Sequence, residues 1–179
     1  MACDIVEIVK SVQNGDERAM SEIVTMYKQL IFTIVYRLLK DYDMSLDVCQ
    51  EVFIKAFQKI HKLNKPEKFK SWLCSIARNL CYDYLRKKKY VLQKSELPES
   101  DPAPEVYSGI RKRIIIQNAI AKLNPRDRLL LTLYYYQNFD IKEIAEIVKI
   151  TPENVKVSLG RARIRLREEL KGYEDELLS

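Results

Sequence analysis

Glycine is scarce in this chain, with four in 179 residues, too few for the tight turns of a sheet-rich fold. Histidine is scarcer still: His61 stands alone. The four cysteines (Cys3, Cys49, Cys74 and Cys81) form no Cys-x-x-Cys pair, so metal-ligand spacing is absent and neither a metal nor a cofactor is expected. Cys74 and Cys81 share a helix face, which fits packing better than redox pairing, and all four are expected as reduced thiols. No segment approaches the ~20 uninterrupted apolar residues of a membrane span. The apolar run within residues 30–39 is broken by Thr33, Tyr36 and Arg37. Asp4 and Glu7 stand where a secretory signal would carry a basic region and an apolar stretch. No membrane insertion is expected, and the location expected is cytoplasmic.

What the chain does have is apolar content, at 47%, enough for packed cores, and an uneven charge. Its overall +6 divides into −2 over residues 1–60, +8 over 61–94, −4 over 95–107 and +4 over 108–179. Two basic segments flank an acidic one. That pattern suggests two nucleic-acid contacts joined by a segment that phosphate repels.

Periodicity is helical throughout. Met20, Ile23, Val24, Tyr27, Leu30, Ile31, Ile34 and Leu38 recur at three- and four-residue steps and describe one long amphipathic helix. A short helix precedes it and ends near Asn14-Gly15. Asp43 or Ser45 can cap the next, which runs to about Lys62; after a break at Lys65-Pro66 another runs from about Glu67 to Tyr90. Three prolines with acids and small residues after Lys94 read as a linker. Asn124-Pro125, Asp140 with Glu143, and Thr151-Pro152 then supply helix starts. The expected fold is all-α: two small helical domains, 1–92 and 108–179, joined by an acidic proline-rich linker over 93–107.

Three faces carry chemistry. At 100° per residue, Asp47, Gln50, Glu51 and Ile54 fall in one stripe, opposite Cys49, Val52, Phe53, Ala56 and Ile60. Acids and an amide around an outward isoleucine have the composition of a docking patch, although composition alone favours a plain solvated face. As an acid–base pair Asp47 and Glu51 fail, because no histidine or pocket residue supports them. On the helix after Glu67, Phe69, Leu73, Ile76 and Leu80 form the buried stripe, and Trp72 belongs at the core edge. The opposite face collects Ser71, Ser75, Arg78, Asn79, Tyr82, Arg86 and Lys89: cations for phosphate, Asn79 for a base edge, Tyr82 for stacking. Finally, Ile141, Ile144, Ala145 and Val148 stripe a short helix, and Val155, Leu159, Ala162 and Leu166 face inward from the next, as in a helix-turn-helix. Its exposed start presents Glu153, Lys156, Val157, Gly160 and Arg161 to a major groove. Arg163, Arg165 and Arg167 would meet backbone phosphates.

In residue type and order, residues 46–89 resemble region 2 of bacterial RNA polymerase sigma factors, in particular the small extracytoplasmic-function (ECF) group of the sigma-70 family, and the helix-turn-helix part of residues 108–179 resembles their region 4. The resemblance covers roughly residues 16–170. It implies a protein that directs core RNA polymerase to specific promoters and initiates transcription, not an enzyme. It implies that Asp47, Gln50, Glu51 and Ile54 dock on the β′ clamp helices. It implies that Leu63, Asn64 and Lys65, with Ser75, Arg78, Asn79, Tyr82, Arg86 and Lys89, read the minus-ten element as single strand with one base extruded into a loop pocket. It further implies that Glu153, Lys156, Val157, Gly160, Arg161 and Arg163 serve the minus-thirty-five element while the first helices of region 4 hold the β flap. The expected partners are core polymerase, promoter DNA and an anti-sigma factor. The chain departs from the family pattern where Lys149 replaces a usual turn glycine, Glu153-Asn154 a usual Gly-Thr pair, and Val157 a usual polar residue.

Two other classes compete. A helix-turn-helix repressor would bind a duplex operator unaided, but leaves the stripe around Asp47 and the segment 63–89 without a role. A small helical nuclease would need a metal cluster, a nucleophile–base pair or a phosphate loop, which the sequence lacks.

Overall fold

The computed structural model describes residues 4–92, 108–173 and 176, and leaves the side chains of 89–92, 108–111 and 113 undescribed. The expected linker and Cys3 lie outside the described residues.

Helix α1 (Ile5–Gln13) is capped by Asp4, whose carboxylate accepts from Val6 N, and closes at Asn14. Gly15 follows at φ 91°, a left-handed conformation that L side chains resist. Asp16 then caps α2 (Glu17–Leu39), accepting from the amides of Arg18 and Ala19, and Lys40 ends it in the left-handed region. Helix α3 (Tyr42–Lys59) is capped by Asp41, whose side chain accepts from Met44 N. This corrects the expectation of Asp43 or Ser45: Ser45 is buried and gives its hydroxyl to the Asp41 carbonyl. The chain then tightens into two 3-10 turns, Ile60–Lys62 and Pro66–Lys68, so α4 (Phe69–Leu92) starts two residues later than expected. Gln13 fastens α1 to this loop, donating to Ile60 O at 2.8 Å and to Leu63 O at 3.0 Å.

In the second half, α5 (Ser108–Lys122) leads to α6 (Pro125–Leu131), α7 (Ile141–Val148) and α8 (Pro152–Glu169). The expected caps form at Asn124, Asp140 and Thr151, and the Asp140–Glu143 pair closes a full capping box. A π turn over Thr132–Tyr136 extends α6, which periodicity does not reveal. Lys149 ends α7 at φ 57°. It adopts the left-handed backbone for which glycine is the usual choice, so a helix-turn-helix bend survives the departure from the family pattern.

Among the described residues every regular element is a helix or helical turn. Ile23, Ile31, Ile34, Val52, Phe69, Leu73 and Ala77 fill the first half; Ile76, expected in the buried stripe, is only half-buried. Leu130, Leu133, Ile144, Ile147, Val155 and Ala162 fill the second half. These residues belong to one contiguous cluster running through both halves. Two tethered units alone would not produce that. The halves pack directly, α7 against α4 and α6 against α2.

Candidate nucleic-acid interface

The α3 stripe is solvent-facing as expected. Asp47, Gln50 and Glu51 are exposed, Ile54 retains 56% exposure, and Glu51 pairs with Lys55 one turn on, at 2.7 Å. Tyr42, Leu46, Gln50 and Ile54 follow one another at four-residue steps, which carries the stripe back to an aromatic group that sequence reasoning missed. The rings of Phe32 and Tyr36 stack at 5.8 Å, and Tyr42 meets them edge-on at 5.6 and 6.5 Å. Tyr42 and Tyr36 remain 60% and 44% exposed. The four-residue spacing of Phe32 and Tyr36 on α2 was the signal available.

The α4 face is more enclosed than expected. Ser71 is buried, and Ser75 is half-buried with its hydroxyl donating to Ser71 O at 2.9 Å. Arg78 is half-buried; its Nε and Nη2 donate to Asn79 Oδ1, at 3.2 and 2.5 Å, and its Nη1 donates to Ile147 O on α7 at 2.8 Å. Burial lowers the pKa of this guanidinium and raises that of the neighbouring Tyr82 phenol. Asn79 itself is exposed. Arg86 is exposed and paired with Asp83 at 2.8 Å, one turn back. The side chain of Lys89 lies outside the described residues.

Where the loop meets α4, a cavity of about 580 Å³ opens, walled by Leu63, Asn64, Lys65, Trp72, Ser75 and Asn79. Its size falls within the ~300–1,000 Å³ of ordinary small-ligand pockets. Five residues expected for the minus-ten element thus converge on one hollow. Asn64 and Lys65 are exposed, whereas Leu63 is 8% exposed and belongs to the core, so it shapes the wall rather than offering a free side chain. Trp72 sits at the core edge, 5.8 Å from the Phe69 ring. Glu146 of α7 and Lys149, which ends that helix, stand in the rim, and nothing in the first half of the sequence announces them.

On α8, Glu153, Lys156, Val157 and Arg161 are exposed, while Val155, Leu159 and Ala162 are buried against the rest of the second half. Beyond its chain neighbours and its own helix backbone, nothing lies within 4 Å of where a Cβ on Gly160 would stand, so the helix surface there is open. The Glu153 carboxyl is held below its usual range by backbone hydrogen bonding at the helix start and by the Thr151 hydroxyl. Arg163 is drawn aside: its Nε donates to the Tyr135 hydroxyl at 2.7 Å. Arg165, expected on phosphate, instead pairs with Asp127.

Among the described residues, no group of three or more His, Cys, Asp or Glu could hold a metal ion, and no helix is long and apolar enough to cross a membrane. Burial pushes the thiols of Cys49, Cys74 and Cys81 up to about 12. Fixed cations, an exposed amide and a hollow between helices are equipment for binding a polyanion.

The family model described as Sigma-70 region 2 matches residues 23–90, and that described as Sigma-70, region 4 matches residues 113–166. The ECF RNA polymerase sigma factor SigW of Bacillus subtilis (strain 168) is 33% identical over 177 residues, which span 91% of this chain and 95% of that protein. SigM of the same strain is also 33% identical, over 162 residues that span 88% of this chain and 99% of that protein. Among solved structures, the sigma factor RpoE from Bartonella quintana, in complex with the anti-sigma factor NepR, superposes with a TM-score of 0.73. It is 24% identical, over 85% of this chain and 96% of that one. At that identity the likeness is one of fold.

Proposed function

This chain belongs to the ECF group of the sigma-70 family, and we propose that it docks core polymerase through α3, reads the minus-ten element through the α3–α4 loop with α4, and reads the minus-thirty-five element through α8. It is a sigma factor, and it directs RNA polymerase to promoters to initiate transcription. The division of labour rests on one observation above all: the loop residues and the exposed amide of Asn79 share a single cavity. An extruded base needs such a hollow with directed polar groups, because unstacking costs a few kcal/mol that only a fitted site recovers.

The docking surface on the β′ clamp helices comprises Asp47, Gln50, Glu51 and Ile54, extended by the Tyr42–Tyr36–Phe32 aromatic group. Large, rigid rings beside acids are the composition of interface anchors. Residues 1–92 act as region 2, 93–107 as the linker and 108–179 as region 4, where the β flap is held. The chain works in the cytoplasm without catalytic chemistry of its own. A protein of the anti-sigma class covers it when it is not needed, as the Bartonella protein was captured with NepR.

Run-off transcription from a random promoter library, with core polymerase plus this chain, is the test. Recovery of promoters sharing two spaced elements supports the assignment. Tight binding of the free chain to duplex DNA, with no stimulation of core polymerase, would overturn it in favour of a repressor.

A further inference from the structure

Gly160 is a residue that the fold of α8 does not call for. Gly15 and Gly172 sit at φ 91°, a backbone that favours glycine. Gly160 lies inside α8 without a positive φ, and outside its own helix nothing stands within 4 Å of a Cβ placed there. Alanine would fit and would favour the helix, since glycine is the costlier residue in a helix interior. A glycine at such a position suits the close approach of something outside the chain.

The setting of Gly160 on the helix shows what approaches. At 100° per residue, Glu153, Val157, Gly160 and Ile164 fall within an arc of about 60°. That arc lies opposite buried Val155, Leu159 and Ala162 and is the outermost line of α8. Val157 and Ile164 are 51% and 58% exposed on it. Exposed Lys156 and Arg167 flank the line on one side and exposed Arg161 on the other, so long cations border a centre of shorter groups. A helix ~10–12 Å across fits the ~12 Å major groove closely. The flanking cations then reach the phosphate walls, and the short centre meets the base edges. Glu153 heads the line with an acid that phosphate repels, which turns this face to the bases and away from the backbone.

We propose that Val157, with the notch at Gly160 beside it, seats the 5-methyl group of a thymine, so that the chain selects an A·T pair at one position of the upstream element by apolar contact. This rests on the proposed placement of α8 at the minus-thirty-five element. The thymine methyl is the apolar group that base pairs present in the major groove. Valine has neither donor nor acceptor on its side chain. Pressed onto a G·C pair, it would cover polar edge atoms and leave them without partners, which costs more than an unmade contact. Gly160 lets the helix come near enough for so short a side chain to reach the methyl.

The test uses core polymerase with the full chain and a promoter recovered from the random library. Each thymine of its upstream element, on either strand, is replaced in turn by uracil, which keeps the hydrogen-bonding groups of the edge and lacks only the methyl. Run-off transcription should fall about fourfold at one such position, the worth of one buried methyl group. Val157→Ala should lower transcription from the thymine template and make that position indifferent to uracil, because both changes remove one contact. Gly160→Ala should raise the melting temperature of the chain yet lower transcription wherever the element is intact. Uracil tolerated at every position, a uracil effect undiminished in Val157→Ala, or full transcription by Gly160→Ala would each overturn the proposal. Recovered elements without any A·T pair would do the same. Scrambling the whole upstream element tells this failure from that of the reading beneath it. If scrambling lowers wild-type transcription while uracil does not, α8 still reads the element and the methyl contact alone is lost. If scrambling has no effect, the placement of α8 is wrong and the proposal falls with it.

Discussion

Arg165 Nη1 lies 2.6 Å from Asp127 Oδ2, and the two differ sharply in exposure: the arginine side chain is about half exposed, the carboxylate 5%. The same Asp127 oxygen accepts from Asn124 Nδ2 at 2.7 Å, and Asn124 in turn caps α6 through Asp127 N at 3.0 Å. One carboxylate thus fastens α8 to the start of α6. Removing the cation strands a nearly buried charge, which is costlier than losing a surface pair.

Arg165→Ala should therefore destabilise the second half by about 1–3 kcal/mol, the lower end reflecting solvent around the arginine. Thermal unfolding followed by circular dichroism measures this. Transcription by the variant should fall equally at promoters with and without a good minus-thirty-five element. A selective loss at intact elements would instead return Arg165 to the DNA.

The docking face proposed on α3 can be weakened without touching the fold. Gln50, Glu51 and Tyr42 are exposed, and the Glu51–Lys55 pair is of the solvated kind worth about 0–1 kcal/mol. Gln50→Ala with Glu51→Ala should leave helicity intact yet lower affinity for core polymerase more than tenfold, at ~2 kcal/mol per lost anchor. Tyr42→Ala should add to that loss. Unchanged co-purification with core enzyme would refute the assignment.

The phosphate and base contacts proposed for α4 predict different effects. Arg86 is exposed and pairs with Asp83 one turn back. Arg86→Ala should reduce transcription similarly at all cognate promoters and flatten its salt dependence. Asn79→Ala should change which minus-ten bases are tolerated, since its amide is exposed at the cavity. Equal shifts in sequence preference from both variants would mean that the roles are misassigned.

Burial of the thiols sets a limit at high pH. Cys74 and Cys81 are pushed up from 9.0 to about 12 by desolvation, so the unfolded chain loses these protons first. Between pH 9 and 12 the unfolded state binds fewer protons than the folded state, and stability falls as pH rises. The melting temperature should decline from about pH 9 upward, and Cys74→Ala should decline less steeply from a lower start. Parallel curves would show that the thiols do not contribute.

What could be read from the sequence was what depends on neighbours in the chain. The caps at Asn124, Asp140 and Thr151 are side chain-to-backbone bonds spanning three residues, and each formed where its residues predict. The start of α3 was harder because Asp41, Asp43 and Ser45 crowd one turn; long-range burial of Ser45 settled it. The packing of α7 on α4 left a trace that was missed. Ile147 lies off the stripe of Ile141, Ile144, Ala145 and Val148, yet is fully buried. An apolar arc that wide asks for a second neighbour. On α4 the converse held, because Ser71 and Arg78 look alike whether they face water, DNA or another helix. Polarity identifies a surface that prefers polar company without specifying which.

The proposed reading assigns upstream recognition to the exposed start of α8. Lys156, Val157 and Arg161 project there with Gly160 opening the surface beside them, whereas Arg163 is turned toward Tyr135. A well-placed Arg on guanine is worth ~1–3 kcal/mol of discrimination. Arg161→Ala should lower transcription at promoters whose minus-thirty-five element is intact. The loss should shrink when that element is already mutated, because both lesions then remove one shared interaction and cannot add. Asn79→Ala should show no such dependence on upstream sequence, since it acts at the other element. Arg163→Ala should also be indifferent to the upstream bases, its guanidinium being committed to the tyrosine hydroxyl. If the Arg161 and promoter lesions simply add, Arg161 touches phosphate, and Lys156 becomes the base-reading residue to examine in the same cycle.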